Sequence, residues 1–145
     1  MVRKFTKWDV LIPFLDSYNK SLILADFERQ LDKPHQTVKS YIRDLMDDKV
    51  IVENSGNTHT SYRLNLRNAM TFDHLSIAEK MRTVDFLGER RMMRRLYEKT
   101  SSFFHRFFVA LFGSYAVNRE GNDIDLFVVG REDEELERKV EEFGE

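Results

Sequence analysis

The sequence predicts an α+β protein built from two small modules in tandem. Three observations carry that prediction. Apolar residues recur at helical spacing up to Asp48, and alternating residues around Asn54-Ser-Gly-Asn57 then mark a β-hairpin. Near the C-terminus an apolar run ending at Gly113 precedes a second alternating segment, Asp123-Ile-Asp-Leu-Phe-Val-Val129, and an acidic helix follows it. A chain of 145 residues can bury a core, although each half alone is small for independent stability.

In chain order, Trp8, Leu11, Ile12 and Leu15 fit one apolar face of a helix, with Pro13 requiring a helix start or a kink. After the polar break at residues 16–20, Leu24, Phe27 and Leu31 give a short helix, which Asp32-Lys-Pro34 ends. A further helix from His35 to Asp48 buries Val38, Ile42 and Leu45. Two short helices about a tight turn are a helix-turn-helix. Val50, Ile51 and Val52, then Tyr62, Leu64 and Leu66, form the hairpin. Residues 72–100 read as helix, split at Gly88. The run from Phe107 to Phe112 is a buried strand, and residues 132–142 form a helix with Leu136, Val140 and Phe143 inward.

With Val38, Ile42 and Leu45 inward, the helical period leaves Gln36, Thr37, Lys39, Ser40 and Arg43 outward, a set suited to a DNA major groove. Lys39 and Arg43 match phosphates or guanine, and Gln36 matches adenine. Arg63 and Arg67 lie beside the hairpin. An ordinary solvated helix face, or a protein-interaction module, is the competing reading. Charge divides the chain: residues 1–72 hold 11 Lys/Arg against 9 Asp/Glu, and residues 109–145 hold 4 against 11. Double-stranded DNA would therefore meet the front half, and so modest an excess of positive charge means that tight binding needs a homodimer or the central segment with Arg90, Arg91, Arg94 and Arg95, for which a solvated helix face is the competing reading.

In the C-terminal half, alternate strand residues share a face, so Asp123 and Asp125 project together while Ile124 and Leu126 face a core. Paired carboxylates suit a hard cation such as magnesium, whose octahedron substrate phosphates complete. Gly113 permits a close backbone approach, and Ser114 with adjoining N–H groups would face a phosphate. A lone Asp-x-Asp is more often a solvated strand edge. Here the apolar strand, the Gly-Ser turn and the paired aspartates occur in one ordered arrangement.

These residues resemble the minimal nucleotidyltransferases of the DNA polymerase beta superfamily, whose pattern is Gly-Ser-x-Ala-Arg-Gly and then Ser-Asp-x-Asp. Gly113, Ser114 and Ala116 fall on that turn, and Asp123 and Asp125 on its metal ligands. The resemblance implies that Gly113 and Ser114 hold the nucleotide, that Asp123 and Asp125 are catalytic metal ligands, and that the cofactor is Mg2+ with an NTP, ATP being expected. Val117 and Asn118 replace the family's Arg-Gly, which leaves Arg119 to supply the charge. The family's third carboxylate has no clear counterpart. The domain is then a shortened version, a binding site without efficient turnover, or one completed by a neighbouring subunit. Residues 4–67 resemble winged-helix regulators of the multiple-antibiotic-resistance and arsenic-repressor kinds, with residues 34–45 as their recognition helix.

The expected organisation is a winged helix-turn-helix over residues 1–70, a linker helix over 71–88 and a small, shortened nucleotidyltransferase-like α/β domain over 89–145. Absence of cysteine excludes disulfides and thiol chemistry, and histidines 35, 59, 74 and 105 are too scattered for a zinc signature. No signal peptide and no apolar run of membrane-spanning length is present, so a cytoplasmic protein without a membrane partner is expected. The leading functional expectation is a DNA-binding, transcription-regulator-like protein carrying an Mg-NTP site. The alternative is an active enzyme that moves an NMP, AMP being expected, to a protein or small-molecule acceptor, with the winged helix as its partner module. By family resemblance a small helical protein is a further candidate partner. A non-catalytic interaction protein is the third reading.

Overall fold

Val38, Ile42 and Leu45 are buried on one side of α2 (His35–Asp47), as their spacing requires, and the first unit assembles around that stripe. The computed structural model describes residues 3–55, 59–104, 108–112, 124–130 and 134–144. They divide into two units, Met1–Phe86 and Leu87–Glu145.

In the first unit a 3-10 helix, Lys7–Phe14, replaces the expected amphipathic helix, and it buries Val10, Leu11 and Phe14 rather than the Trp8, Ile12 and Leu15 face. Pro13 has no N–H, and in an α-helical register its ring would crowd the carbonyl of Asp9. The tighter winding rotates the apolar face, leaving Trp8, Ile12 and Leu15 packed at the core's margin. β1 (Ser21–Ile23), α1 (Leu24–Leu31), α2, β2 (Ile51–Ser55), β3 (Thr60–Leu64) and α3 (Met70–Glu89) follow. Strand order is β1-β3-β2, antiparallel throughout, with Leu22 opposite Tyr62 and Ile51 opposite Leu64. A helix-turn-helix backed by this sheet, with β2 and β3 as the hairpin, is a winged helix-turn-helix. Phe27 links the layers: its ring centroid lies 5.6 Å from Phe14 and 6.2 Å from Tyr62, both edge-on.

Two turns fix the direction of α2. At its start, Asp32 adopts a left-handed conformation (φ 50°), and the Glu28 carboxylate on α1 sits 2.5 Å from Nδ1 of His35. At its end, Lys49 is left-handed (φ 57°); its N–H donates to Met46 at 2.9 Å, and Val50 N–H donates to Leu45 at 2.8 Å. That is a Schellman motif with the C″ and C3 residues both buried. Side-chain amides of Asn65 and Asn68 donate to the Lys49 carbonyl at 2.9 and 3.0 Å, tying the hairpin's exit to the same turn.

The N-terminal segment is fastened by charge. Arg3 Nη1 donates to Asp9 at 2.9 Å and Nη2 also bonds Asp9, while Nε and Nη2 reach Asp85 of α3 at 2.9 and 2.7 Å. Asp9 also accepts from the Thr6 N–H at 2.7 Å. Burial alone would raise the Asp9 carboxyl, but bonds from Arg3 and Thr6 outweigh it and hold the group below the usual carboxylate range. A carboxyl depressed on folding contributes stability above its unfolded pKa and loses it as pH falls through the folded value. We therefore expect Asp9→Asn to cost about 1–3 kcal/mol at neutral pH and to flatten the loss of stability below about pH 4. Urea denaturation at pH 7 and pH 3 measures both; parallel losses in wild type and variant would remove Asp9 from the acid response.

α3 continues the helix expected over residues 72–100, and its break falls at Arg90, in an extended conformation (φ −127°), rather than at Gly88. Gly88 stays inside α3, where a side chain would meet no described residue. The second unit comprises α4 (Arg91–Phe103), β4 (Phe108–Phe112), β5 (Asp125–Val129) and α5 (Glu134–Gly144). Phe103, Phe104 and Phe143 stack with centroids 5.2–5.7 Å apart, joining α5 to the end of α4. Lys139 donates to the Phe103 carbonyl at 2.8 Å at the same junction. β4 and β5 pair antiparallel, from Phe108 opposite Val129 to Phe112 opposite Asp125. No helix among the described residues is long and apolar enough to cross a membrane.

Candidate nucleic-acid interface and nucleotide site

The outward face of α2 follows from its inward one. Gln36, Ser40 and Arg43 are exposed, and Thr37 and Lys39 are half-buried at the edges of the stripe. Pro34 precedes the helix, its carbonyl accepting from Thr37 and Val38 N–H at 3.0 and 3.2 Å. The first turn thus carries Gln36 and Thr37 at the helix's positive end, where phosphate is favoured. Arg43 lies within electrostatic reach of Tyr62 on β3. Burial raises that phenol, the Glu53 carboxylate adds to the rise, and Arg43 opposes it.

Arg63 is placed differently. It sits on the central strand, opposite Ser21 and Val52, and is exposed while its neighbours Tyr62 and Leu64 are buried. It therefore projects from the sheet face away from the core that receives α2, and the fold does not gather it with the α2 residues. Two contacts that orient α2 had no signal in the sequence. His35 with Glu28 spans the interhelical turn, and Lys7 Nζ holds Asp48 at 2.6 Å at the other end of the helix. Both join residues whose proximity depends on the turn geometry rather than on spacing.

In the second unit, Asp125 is the first residue of β5 and is exposed, on the same side as Phe127 and Val129, while Leu126 and Val128 are half-buried on the other. The expected alternation of Asp125 with Leu126 is thus present. The strand itself starts at Asp125, whose partner Phe112 is the last residue of β4. Phe112 and Asp125 therefore lie side by side at one end of the two-stranded sheet. Gly113, Ser114, Ala116, Arg119 and Asp123 lie outside the described residues. Among the described residues no three acidic or histidine side chains converge as a metal site. A carboxylate at the sheet edge, projecting from its open face, is a donor a divalent cation can reach from solvent.

Residues 93–145 match the family model of the nucleotidyltransferase domain. The match takes in α4 from Met93, both strands and α5, so the C-terminal part of the chain is nucleotidyltransferase-like. Such domains generally use a divalent metal such as Mg2+. Among solved structures, the adhesin competence repressor AdcR from Streptococcus pyogenes is similar with a TM-score of 0.46 and 14% identity, over 69% of this chain and 70% of that one. The winged-helix assignment rests on the strand order and register above and not on that likeness. No curated protein matches the chain in sequence.

Proposed function

We propose that the protein is a DNA-binding, transcription-regulator-like molecule whose C-terminal domain binds a magnesium-nucleoside triphosphate. The observation that carries the DNA part is the face of α2. Gln36, Thr37, Lys39, Ser40 and Arg43 project from a helix whose opposite side is locked into the core by Val38, Ile42 and Leu45. A rigid helix with donors and cations on its free side can enter a major groove, with Lys39 and Arg43 on phosphates or guanine and Gln36 on adenine. Arg63, on the outer face of the wing sheet and not gathered with the α2 residues, would add only a separate contact to DNA backbone. A homodimer would present two such helices to paired half-sites. For the nucleotide, the reading places Mg2+ on Asp123 and Asp125 and the phosphates, ATP's first among candidates, on Gly113, Ser114 and Arg119.

The test is retention on duplex DNA across a salt series. Lys39→Ala with Arg43→Ala is expected to weaken binding and to lower the slope of log K against log salt by about 2 per protomer. An unaltered titration would return the winged helix to protein recognition.

The family match favours a second reading, nucleotidyl transfer, because it rests on a catalytic domain. An acceptor hydroxyl would attack the α-phosphate and pyrophosphate would leave, with the metal neutralising the departing charge. Label from α-phosphate-labelled ATP passing to a protein, a small helical partner included, or to a small molecule would establish it. Nucleotide bound without transfer leaves the regulator reading in place.

A further inference from the structure

The helix α4 places its charges against its own preferences. Met93 and Thr100 are buried and Leu96 is half-buried, so at about 100° per residue Arg91 and Arg95 stand nearly opposite the packed side, with Arg94 beside them. All three are exposed. The helix carries four cations, Arg91, Arg94, Arg95 and Lys99, against Glu98 alone. The three arginines lie near its N-terminal end, where the helix dipole repels cations and favours acids, yet the first turn holds no acid. Arg91 and Arg95 are also like charges one turn apart, which weakens the helix further. Of these arginines only Arg94 pairs with an acid among the described residues, Glu98 at 3.1 Å, and because both side chains are well exposed that pair holds its arginine weakly. Lys99 is engaged elsewhere, its Nζ 4.5 Å from the centre of the Phe143 ring. A helix face that serves only solvation carries both signs interspersed. This one concentrates guanidinium groups, whose planar fork matches phosphate oxygens.

We infer that the outer face of α4 binds single-stranded nucleic acid. The positive charge calls for an anion, and the flanks of the arginine stripe say which one. Tyr97, three residues after Arg94, is 49% exposed on one flank, and Met92, three residues before Arg95, is 53% exposed on the other. An exposed ring beside arginines takes an unstacked base on its face while the guanidinium groups hold the adjoining phosphates. A duplex keeps its base faces covered and would leave Tyr97 and Met92 unused. Arg91 and Arg95 are about 6 Å apart along the helix axis, so both can follow one strand past the ring. The acidic helix α5 meets α4 at Lys99, Phe103 and Phe104, past the arginines, whose face stays open. This surface is separate from the face of α2: a groove-reading helix takes duplex, and the α4 stripe takes a single strand.

The assignment is independent of the regulator reading. It is tested on the full chain by fluorescence anisotropy with a labelled single-stranded oligonucleotide, as RNA and as DNA, and with the matching duplex. The single strands should bind, and Arg91→Gln with Arg95→Gln should weaken that binding and lower the slope of log K against log salt by about 1.4. Tyr97→Ala should weaken it by about 5- to 100-fold, and Tyr97→Phe should keep most of it, since the ring and not the hydroxyl supplies the stack. Lys39→Ala with Arg43→Ala should leave single-strand binding unchanged. The α4 positions changed are exposed, so far-UV spectra should not move. Absence of single-strand binding, binding indifferent to the two arginines or to Tyr97, or equal losses on single strand and duplex in the α4 variants overturns the assignment. A chain that holds single strands through α4 and ignores duplex upholds it and removes only the regulator reading.

Discussion

Phe27→Ala is expected to lower the stability of the winged-helix unit by about 3–5 kcal/mol, the largest effect of any single core substitution considered. Phe27 has no exposed surface, and its ring fills the space between Phe14 of the 3-10 helix and Tyr62 of the central strand. Removing it empties a cavity bordered by three different elements, which cannot all close on it at once. For a unit of this size, such a loss lowers Tm by on the order of 15–30 °C. Phe72→Ala provides the contrast within the same unit. That ring is half exposed on α3, so its removal should change stability by no more than about 0.5 kcal/mol. The single tryptophan, Trp8, is packed at the margin of this core, so its fluorescence follows this unit in a urea titration. Equal effects of the two substitutions would mean that Phe27 is not the joint between the layers.

The same core shows what the sequence could and could not disclose. The stripe Val38, Ile42, Leu45 and the alternation of Tyr62 with Leu64 were legible, because in regular elements burial follows the period of the backbone. Leu66, expected to continue that alternation, lies beyond the end of β3 and is exposed. The N-terminal helix was misread because a 3-10 winding has a different period, and Pro13 signals a departure without saying which. β1 was missed because three residues with one buried side chain are too short to display alternation. Arg3 meets Asp85 across 82 positions, a pairing no local pattern encodes. In the C-terminal half, the alternation of Asp125 with Leu126 was legible. Where the strand begins was not, because that depends on the end of its partner at Phe112.

Asp123→Asn with Asp125→Asn is expected to abolish magnesium-dependent nucleotide binding, an effect of at least about 100-fold on the apparent affinity. The amides keep the size of the carboxylates and remove both charges, so what is lost is the cation and, with it, the anchor for the triphosphate. The fold should not answer for the loss. Asp125 is exposed at the first position of β5, and exposed substitutions of this kind change stability by no more than about 0.5 kcal/mol. Calorimetry with ATP, GTP, CTP and UTP, each with and without magnesium, reads both the metal requirement and the choice of base. Binding that persists unchanged in the double variant would refute the assigned ligands. Binding by the wild type that ignores magnesium would place the nucleotide on the Gly113, Ser114 and Arg119 turn alone. The single variant Asp125→Asn separates the two carboxylates: if it loses the metal as completely as the double variant, the cation depends on the sheet-borne ligand, and Asp123 acts only in its company.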